Sequence, residues 1–446
     1  MTETFQDIGV RTRTAASLSA AGYITPNAVQ RDAIPSLLAG IDCVIQAPTG
    51  SGKTLAFVVP MVERFAGHHG HGARGLILVP TRELATQVAA VIRQVDRGLR
   101  TVVLMGGVGY GSQLAGLRNA PDVIVACPGR LLDLAGRGDA RLGKIEYLVL
   151  DEADEMLDQG FARDVEQIIA LCPQAGSGAS RQRILASATM PEWVLRMITK
   201  HLRSPLRVQG ERTQEPLLEH GLMTVTCDTK VHTLSQLLRR QRAAGQNQTI
   251  VFHRTKHGVK KLARDLASRG HFTAELQGNL SQNARDRALD SFRRNDAEVL
   301  VATNVAARGI DVVNVGLVVN FELPETPQWL THRVGRTARN GAEGKAITFF
   351  SEHDTSQWRK LRSLGAPPLH RLDGERLLES GEWILGEPHE PVAAVSAGRR
   401  SSRSKRTASV RRPRTGTERS RKRPSAHSQG ARASSDGPVQ NRHRLQ

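Results

Sequence analysis

The sequence feature that most limits the possible folds is a short apolar run that ends in carboxylates. Four apolar residues, Tyr147–Leu150, are followed by Asp151, Glu152 and Asp154 with no turn residue between. Such a run is typical of a strand buried on both faces of a parallel sheet. Open α/β sheets bind ligands at the carboxyl ends of their strands, and buried carboxylates there require a cation. The pattern predicts Asp151 as a Mg²⁺ ligand and Glu152 as the group that orients or deprotonates a water, with an acid-rich helix N-terminus as the alternative.

A second pattern, farther upstream, favours the first of these interpretations. Asp42–Gln46 predicts a short strand that leads through Ala47–Thr54 into an apolar helix. Strand, glycine-rich turn and helix are the context that a phosphate-binding loop requires. The glycines let backbone N–H groups converge on phosphate oxygens, Lys53 supplies a charge, and Thr54 offers a hydroxyl to Mg²⁺. Together with Asp151, this loop predicts a nucleoside triphosphatase.

Predicted strands and helices alternate in two consecutive sets, which predicts two doubly wound parallel sheets in an α/β protein. The strands predicted after the loop in the first set are Gly75–Val79, Thr101–Met105, Asp122–Ala126, Glu146–Leu150 and Arg183–Ala186. Those of the second are Leu222–Thr226, Thr249–Phe252, Ala274–Gln277, Val299–Ala302, Leu317–Asn320 and Ala346–Phe350. The pattern breaks at about Arg207–Glu219. We therefore divide the chain into a first domain (1–208), a linker (209–219), a second domain (220–368), an extension (369–390) with a short helix within Asp373–Glu387, and a tail (391–446).

Several predicted strand ends carry small, glycine-rich or basic groups. In the first set these are Pro80–Leu84, Gly106-Gly107 and Cys127–Arg130. A sheet edge lined with backbone donors and arginines suits a phosphodiester backbone. The second set has no phosphate-binding loop but contains Arg308–Asp311 and His332–Arg339, the latter with three arginines at spacings of three. A solvated basic face is the alternative, but beside a phosphate-binding loop in the same chain these residues indicate arginine fingers.

Net charge and cysteine content narrow the functional class. The formal net charge is +19, and Pro391–Gln446 alone carries 15 Lys and Arg against two carboxylates, so the rest of the chain carries only +6. A tail of this composition is expected to be disordered and to bind phosphates without sequence preference. Four scattered cysteines argue against a disulfide framework or a zinc site. No signal peptide or membrane-length apolar run is visible, so we expect a soluble, cytoplasmic protein.

These motifs, in this order, resemble those of the DEAD-box RNA helicases across roughly residues 5 to 350. The segment around Gln30, with Phe5 upstream, resembles the adenine-reading motif of that family. Ala47–Thr54, Asp151–Asp154 and Ser187–Thr189 resemble its ATPase motifs. The strand-end groups of the first set match its RNA-backbone motifs, and Gln282, Arg285, Val301–Asp311 and His332–Arg339 match its second domain.

The resemblance implies two tandem RecA-like domains that close on ATP, Mg²⁺ and single-stranded RNA. It implies catalytic roles for Glu152, Asp151, Lys53, Arg336 and Arg339, and Mg²⁺ ligation by Thr54 and Asp151. The implied ATP-binding residues are Phe5, Gln30, Ala47, Pro48, Thr49, Gly50, Ser51, Gly52, Lys53, Thr54, Asp151, Glu152, Gly309, Asp311, Arg336 and Arg339. Coupling of hydrolysis to strand separation is implied for Asp154, Ser187, Ala188 and Thr189. RNA contacts are implied for Pro80, Thr81, Arg82, Gly107, Pro128, Gly129, Arg130, Gly278 and Thr303.

The chain departs from the family pattern at six positions: Asn27, Cys127, Arg254, Gln277, Asn304 and Ala338. None of these removes a phosphate, Mg²⁺ or finger residue, so we expect ATPase activity. Cys127 stands for a threonine that donates to RNA, and Asn304 stands for an aspartate in the coupling segment. The loss of a hydroxyl donor at Cys127 and of a negative charge at Asn304 is expected to lower the efficiency of unwinding.

The leading hypothesis is therefore an ATP-dependent RNA helicase that opens duplexes locally and is largely indifferent to sequence. An ATP-gated RNA clamp or assembly scaffold and a DNA helicase are the alternatives. We expect a monomer, with the basic tail as a tether to structured RNA and with no membrane partner. Ribosome assembly, mRNA decay and cold adaptation all stay open as settings, and abundant Arg and Ala favour a bacterial source.

Overall fold

Two parallel β-sheets, each covered by helices on both faces, form the two halves of the described chain. The computed structural model describes residues 3–48, 50–67, 72–173, 181–210, 218–245, 248–304, 306, 315–338 and 343–389. The predicted disordered tail, residues 391–446, lies outside this set. Within it, no helix has the length and apolarity that crossing a membrane would demand.

The first half is built on a seven-stranded, all-parallel sheet in the order β3-β4-β2-β5-β6-β1-β7. Its strands are β1 (Cys43–Gln46), β2 (Gly75–Leu78), β3 (Thr101–Leu104), β4 (Val123–Ala126), β5 (Tyr147–Leu150), β6 (Gln182–Ser187) and β7 (Leu206–Gln209). Its helices are α1 (Thr12–Ala20), α2 (Ala28–Leu38), α3 (Lys53–Phe65), α4 (Arg82–Val95), α5 (Tyr110–Arg118), α6 (Pro128–Gly136), α7 (Ala153–Asp158), α8 (Ala162–Leu171) and α9 (Glu192–His201).

The second half is built on an eight-stranded sheet in the order β10-β11-β9-β12-β13-β8-β14-β15, in which only β15 is antiparallel to its neighbour. Its strands are β8 (Leu218–Thr224), β9 (Thr249–Phe252), β10 (Thr273–Leu276), β11 (Val299–Ala302), β12 (Leu317–Asn320), β13 (Gly344–Phe350), β14 (His370–Leu372) and β15 (Leu385–Pro388). Its helices are α10 (Lys230–Ala243), α11 (Lys256–Ala267), α12 (Gln282–Arg293), α13 (Pro327–Val334), α14 (Thr355–Ser363) and α15 (Gly374–Glu379), with a 3₁₀ turn at Glu352–Asp354.

Strand β5 shows why the apolar run folds as predicted. Its four side chains are at most 3% exposed. Tyr147 and Val149 belong to the core on one face of the sheet, and Leu148 and Leu150 to the core on the other. Because successive side chains of a strand point to opposite faces, only a strand covered on both sides can be apolar at every position. The two-sided burial predicted for this run is confirmed.

The structure contains strands at the domain margins that the sequence did not predict. The alternating pattern does not break at Arg207, because β7 pairs in parallel with β1 as an edge strand. The extension is more than a short helix: α15 lies within the predicted range, but β14 and β15 flank it and enlarge the second sheet. Short strands that bury few apolar side chains give little periodic signal, and Val208 is the only buried residue of β7.

A buried chain of polar side chains crosses the second sheet. The ring Nε2 of His220 on β8 lies 2.9 Å from Thr348 Oγ1 on β13. The same hydroxyl oxygen accepts a hydrogen bond from Asn320 Nδ2 (2.9 Å), and Asn320 Oδ1 accepts one from Arg333 Nη1 (3.1 Å). The Thr348 hydroxyl can then donate its own hydrogen to His220 Nε2, an arrangement that requires a neutral imidazole. Burial lowers the pKa of His220 to about 4, in agreement with that requirement.

We expect His220 to make the second half sensitive to acid. Because its pKa is lower in the folded than in the unfolded protein, its contribution to stability is complete above about pH 6.5 and is lost as the pH falls towards about 4. The free energy of unfolding should fall by about 2 kcal/mol more between pH 7 and pH 5 than in a His220→Gln variant, whose side-chain oxygen can still accept from Thr348. Urea unfolding at several pH values measures this difference. Parallel pH profiles for the two proteins would contradict it.

Candidate nucleotide and nucleic-acid site

The predicted ATPase motifs meet at one edge of the first sheet. β5, β6 and β1 are consecutive neighbours, and Asp151, Ser187 and Ala47 lie at or directly after their carboxyl ends. Carboxyl ends of parallel strands share an edge, so the phosphate-binding loop, the acidic segment and Ser187–Thr189 come together there.

The phosphate-binding loop has the backbone that its glycines were predicted to allow. Gly50 and Gly52 have φ angles of +87° and +81°, in the left-handed region that favours glycine. A Cβ on Gly52 would lie 2.3 Å from Asn27 Nδ2, so only glycine fits where the loop enters α3. The buried Lys53 donates from Nζ to the carbonyl oxygens of Ala47 (2.6 Å) and Pro48 (2.7 Å). Ser51 and the partly exposed Thr54 complete the described loop, and Thr49 lies outside the described residues.

Helix α2 is tied to this loop by two side-chain amides. Asn27 caps α2, since its Oδ1 accepts from Gln30 N (3.0 Å) and Gln30 Oε1 accepts from Asn27 N (3.1 Å). The Nδ2 of Asn27 donates to Ser51 O (3.0 Å), and the Nε2 of Gln30 donates to Gly52 O (3.2 Å). The predicted adenine-reading residue Phe5 is 2% exposed and belongs to the adjacent core. The sequence marked Asn27 only as a departure from the family pattern. In the structure its side chain both caps α2 and binds the phosphate-binding loop.

Replacing Asn27 by Asp separates these two roles. Aspartate caps a helix as well as asparagine does, but it has no hydrogen to donate to Ser51 O. One lost hydrogen bond of about 0.5–1.5 kcal/mol should raise the KM for ATP roughly 2- to 10-fold, with kcat and the melting temperature nearly unchanged. Steady-state kinetics at varied ATP concentration measure KM and kcat separately. Asn119→Asp, at an exposed position after α5, is the control. A fall in kcat at unchanged KM would contradict the role in holding the loop.

The acidic segment concentrates buried negative charge. Asp151, Glu152, Asp154 and Glu155 are 2–7% exposed. Burial, then the neighbouring carboxylate, raises the pKa of both Asp151 and Glu152, against the opposing effect of Lys53. Glu152 adopts a left-handed conformation with φ +51°, which is strained for a side chain other than glycine. Its Oε2 is buried with no hydrogen-bond partner, so a buried acceptor is available to a ligand.

These carboxylates fit a hydrated Mg²⁺ ion rather than a protein cage. Within the described ranges, no group of three or more His, Cys, Asp or Glu side chains is placed to hold a metal ion. Mg²⁺ usually takes one or two protein oxygens and fills its other positions with water and phosphate. Asp151, whose pKa is lowered by the charge of Lys53, and the Thr54 hydroxyl in the first turn of α3 offer oxygens of this type.

The predicted coupling residues are joined by direct hydrogen bonds. Asp154 Oδ2 accepts from the backbone N (2.8 Å) and Oγ1 (2.7 Å) of Thr189. Ser187 Oγ accepts from Asp154 N (3.2 Å) and donates to Thr189 O (2.8 Å). The segment Ser187-Ala188-Thr189 is therefore fixed to the acidic helix α7, and a shift of either one must move the other.

Among the described residues, the second half of the chain reaches this edge beside the carboxylates and again at α4. Near the carboxylates, His332 Nδ1 lies 3.7 Å from Glu155 Oε1, and the positive charge of the buried Arg336 lowers the pKa of Glu152 against the larger effect of burial. At the second place, Arg285 on α12 donates from Nε to Glu83 Oε1 on α4 (2.8 Å), with Nη2 at 2.6 Å from the same oxygen. The pair Arg285–Glu83 could not be assigned from sequence, since the partners are 202 positions apart.

The predicted RNA-contacting residues line the strand ends beside the nucleotide site. Arg82 lies against Gly107, where φ is +74° and a Cβ would be 2.1 Å from Arg82 Nη1. Arg130 donates to Val108 O (3.2 Å) from both terminal nitrogens and stacks on Tyr110 at 4.2 Å. The rest of the predicted set follows the ends of β2, β4, β10 and β11: Pro80, Thr81, Pro128, Gly129, Gly278 and Thr303. Tyr110 was missed because nothing in its local sequence distinguishes it from a surface tyrosine.

Asn304, one of the departures from the family pattern, contacts the buried guanidinium of Arg333. Arg333, 1% exposed, donates from Nε to Asn304 Oδ1 (2.6 Å) and from Nη1 to Glu322 O (2.7 Å), but its Nη2 has no hydrogen-bond partner. Burial lowers the pKa of Arg333 to about 9.

Cys127, a second departure from the family pattern, is the N-cap residue of α6, but its side chain forms no capping hydrogen bond. Burial raises the pKa of its thiol to about 12. Gly309, Asp311 and Arg339 lie outside the described residues.

Two family models match the chain and together span both sheets. The DEAD/DEAH box helicase model matches residues 27–197, and the helicase conserved C-terminal domain model matches residues 229–341. The chain is 40% identical over 369 residues to the DEAD-box ATP-dependent RNA helicase 3B, chloroplastic, of Zea mays and 39% identical over 368 residues to the 3A protein of the same plant. Each match covers 80% of this chain and 48% of the relative, so the chain spans about half the length of these curated relatives.

A solved structure extends the likeness to the whole fold. The structure of S. cerevisiae Dbp5 bound to RNA and ADP BeF3 matches with a TM-score of 0.73 and 28% identity, covering 84% of this chain and 97% of that one. The predicted architecture of two RecA-like domains is confirmed. The predicted bacterial source receives no support, since these curated relatives are chloroplastic plant proteins. With both family models in order and every described ATPase motif at one sheet edge, the chain belongs to the DEAD/DEAH box helicase family.

Proposed function

We propose that the protein is an RNA-stimulated ATPase that uses ATP to open short RNA duplexes. The observation that carries this proposal is the position of Arg336 and His332. Both belong to the second half of the chain, and they lie near the buried carboxylates Glu152 and Glu155 of the first half. A site assembled from both halves is complete only when they are together. A ligand that binds across both halves can then control hydrolysis by holding them in this arrangement.

ATP would be held by groups on both sides of the junction. Gln30 and Phe5, both less than 5% exposed here, are assigned to the adenine by family resemblance alone. The loop from Ala47 to Thr54 takes the phosphates, with Lys53 exchanging its contacts to Ala47 and Pro48 for phosphate oxygens. Thr54 and Asp151 would hold Mg²⁺, which would supply positive charge to the phosphates of ATP. Gly309 and Asp311 are assigned to the ribose by family resemblance alone.

Glu152 is the residue we assign to the attacking water. Its buried, unpartnered Oε2 suits an acceptor that orients the water and takes its proton, and the positive charges of Arg336 and Lys53 favour the ionised carboxylate that this role requires. Arg336, together with Arg339, would stabilise the charge that develops on the transferred phosphoryl group, a contribution worth about 10³–10⁵ in rate in related NTPases. Asp154, Ser187, Ala188 and Thr189 then pass movement at the carboxylates to the RNA-facing strand ends.

RNA would bind along the strand ends of both sheets through its phosphates. Arginines and exposed backbone groups at these positions contact phosphate and sugar rather than base edges, so binding is expected to be largely independent of sequence. RNA is also the partner named in the matched Dbp5 structure.

An ATP-gated RNA clamp is the second candidate, and Arg333 is the observation that favours it. Its Nε meets the neutral Asn304, and its Nη2 is left without a hydrogen-bond partner. A buried guanidinium with an incomplete set of partners holds its helix less firmly, which would weaken the coupling of hydrolysis to strand release.

Steady-state ATP hydrolysis with no nucleic acid, with single-stranded RNA and with DNA of the same sequence tests the proposal. Strong stimulation by RNA alone, followed by ATP-dependent release of a strand from a short duplex, is the expected result. RNA stimulation without strand release would favour the clamp. Equal rates under all three conditions would contradict RNA control of the junction, and stimulation by DNA alone would indicate a DNA helicase.

A further inference from the structure

Helix α11 carries uncompensated positive charge along its solvent face. Lys256, Lys260, Lys261 and Arg264 are all exposed, and we name these four residues the α11 cations. None of them forms an ion pair with any residue in the described part of the chain, and Asp265 is the one carboxylate of the helix. The buried face of the helix, which packs on the sheet, consists of Val259, Leu262, Ala263 and Leu266.

Helix α12 shows that this imbalance is not general to the second half. Arg293 on α12 is paired with Asp290 (3.2 Å), and Arg294, directly after the helix, is paired with Asp296 (3.0 Å), which leaves Arg287 as the exposed basic residue of α12 without a described ion pair. The apolar residues of α12 belong to a different core cluster from those of α11, so the two helices cover opposite faces of the same sheet. The charges on α12, on one face of the sheet, nearly balance, whereas α11, on the opposite face, carries an excess of positive charge.

The α11 cations begin at the predicted RNA site and lead away from it. Lys256 Nζ lies 2.8 Å from Asn279 Oδ1, and a Cβ on Gly278 would lie 3.2 Å from Lys256 Cε. From there, Lys260 and Arg264 follow at intervals of one helical turn, about 5–6 Å. Such a row can contact successive phosphates of an RNA strand that leaves the edge of the sheet near Gly278.

Like charges four positions apart, as at Lys256, Lys260 and Arg264, destabilise a helix, and Asp265, the single carboxylate of α11, forms no ion pair with them among the described residues. A bound polyanion would relieve this repulsion and gain affinity by releasing its counterions. We propose that α11 is a second RNA-contacting surface, which binds the phosphates of the strand flanking the core site. The proposal rests on the proposed function, because its starting point is the RNA site at the strand ends.

The test compares two triple variants of the full chain. Lys260→Gln, Lys261→Gln and Arg264→Gln remove three α11 cations, while Arg287→Gln, Arg293→Gln and Arg294→Gln remove two cations from α12 and one from the residue that follows it. Affinity is measured at several salt concentrations for a core RNA of roughly 6 nucleotides and for the same RNA extended by about 10 nucleotides at each end. For the extended RNA, the α11 variant should bind about 10-fold more weakly at low salt, and its slope of log affinity against log salt should be smaller by about 2.

For the core RNA, the α11 variant should match the unsubstituted protein in affinity and in ATP hydrolysis. Unchanged affinity and slope on the extended RNA would overturn the proposal and leave α11 to solvent or to an acidic protein partner. An equal loss in the α12 variant would also overturn it, because general positive charge would then be sufficient. These are binding measurements, so a failure of RNA to stimulate hydrolysis would count against the proposed function and not against this surface.

Discussion

Replacement of Glu152 by Gln is expected to lower ATP turnover at saturating RNA by about 10²–10⁴-fold, which is the usual contribution of a positioned general base. The glutamine can still occupy the same space and accept a hydrogen bond, but it cannot take a proton from the attacking water. ATP and RNA binding should be kept, since Lys53 and the phosphate-binding loop are untouched. Single-turnover hydrolysis and nucleotide titration separate the chemical step from binding.

The same variant should be more stable than the unsubstituted protein. Burial and the adjacent Glu155 raise the pKa of Glu152, which means that its ionised form is disfavoured in the folded state. A neutral amide removes that penalty, and the melting temperature is expected to rise by a few degrees. Glu192→Gln, at an exposed position paired with Arg196, is the control and should change neither quantity. Loss of activity together with a lower melting temperature would assign Glu152 a structural role instead.

The central strands could be predicted from sequence because burial leaves little choice of residue. The predicted bounds of β9, β11 and β12 agree with the structure, and each of these strands is buried at every position. Edge strands lack this signature: β15 is exposed throughout, and β14 buries only Leu372. Pairing at an edge depends on backbone hydrogen bonds to a neighbour, and the local sequence does not record which neighbour that is.

Within the candidate site, the sequence identified residues whose chemistry requires a particular type at a particular spacing. Gly52 illustrates this, since the left-handed loop and the close approach of Asn27 both exclude a side chain. Partners brought together by folding could not be found in this way. Glu83 belongs to the predicted strand-end group Pro80–Leu84, in which nothing indicates Arg285 as its partner, and the second contact of Asn27 depends on how α2 packs against α3.

The pair Glu83–Arg285 leads to the second large expected effect. Both side chains are less than 10% exposed, and Arg285 is also fixed within its own half by a hydrogen bond from Nη2 to Ala306 O (3.1 Å). Removal of one member of a buried ion pair costs about 3–5 kcal/mol, because the other charge stays buried without its partner. Since this pair joins the two halves, the cost should fall on their association rather than on the folding of either sheet.

Glu83→Gln is therefore expected to lower kcat/KM for RNA in the ATPase assay by at least about 100-fold, which corresponds to about 3 kcal/mol. Arg285→Met should have a similar effect, and the double variant should be less impaired than either single one, because it leaves no unpaired charge buried. Arg293→Met is the control: it lies on the same helix in an exposed pair with Asp290 and should leave kcat/KM unchanged. If the two single effects were instead additive, the pair would not join the halves during turnover, and the arrangement that brings Arg336 to Glu152 would depend on the bound ligands alone.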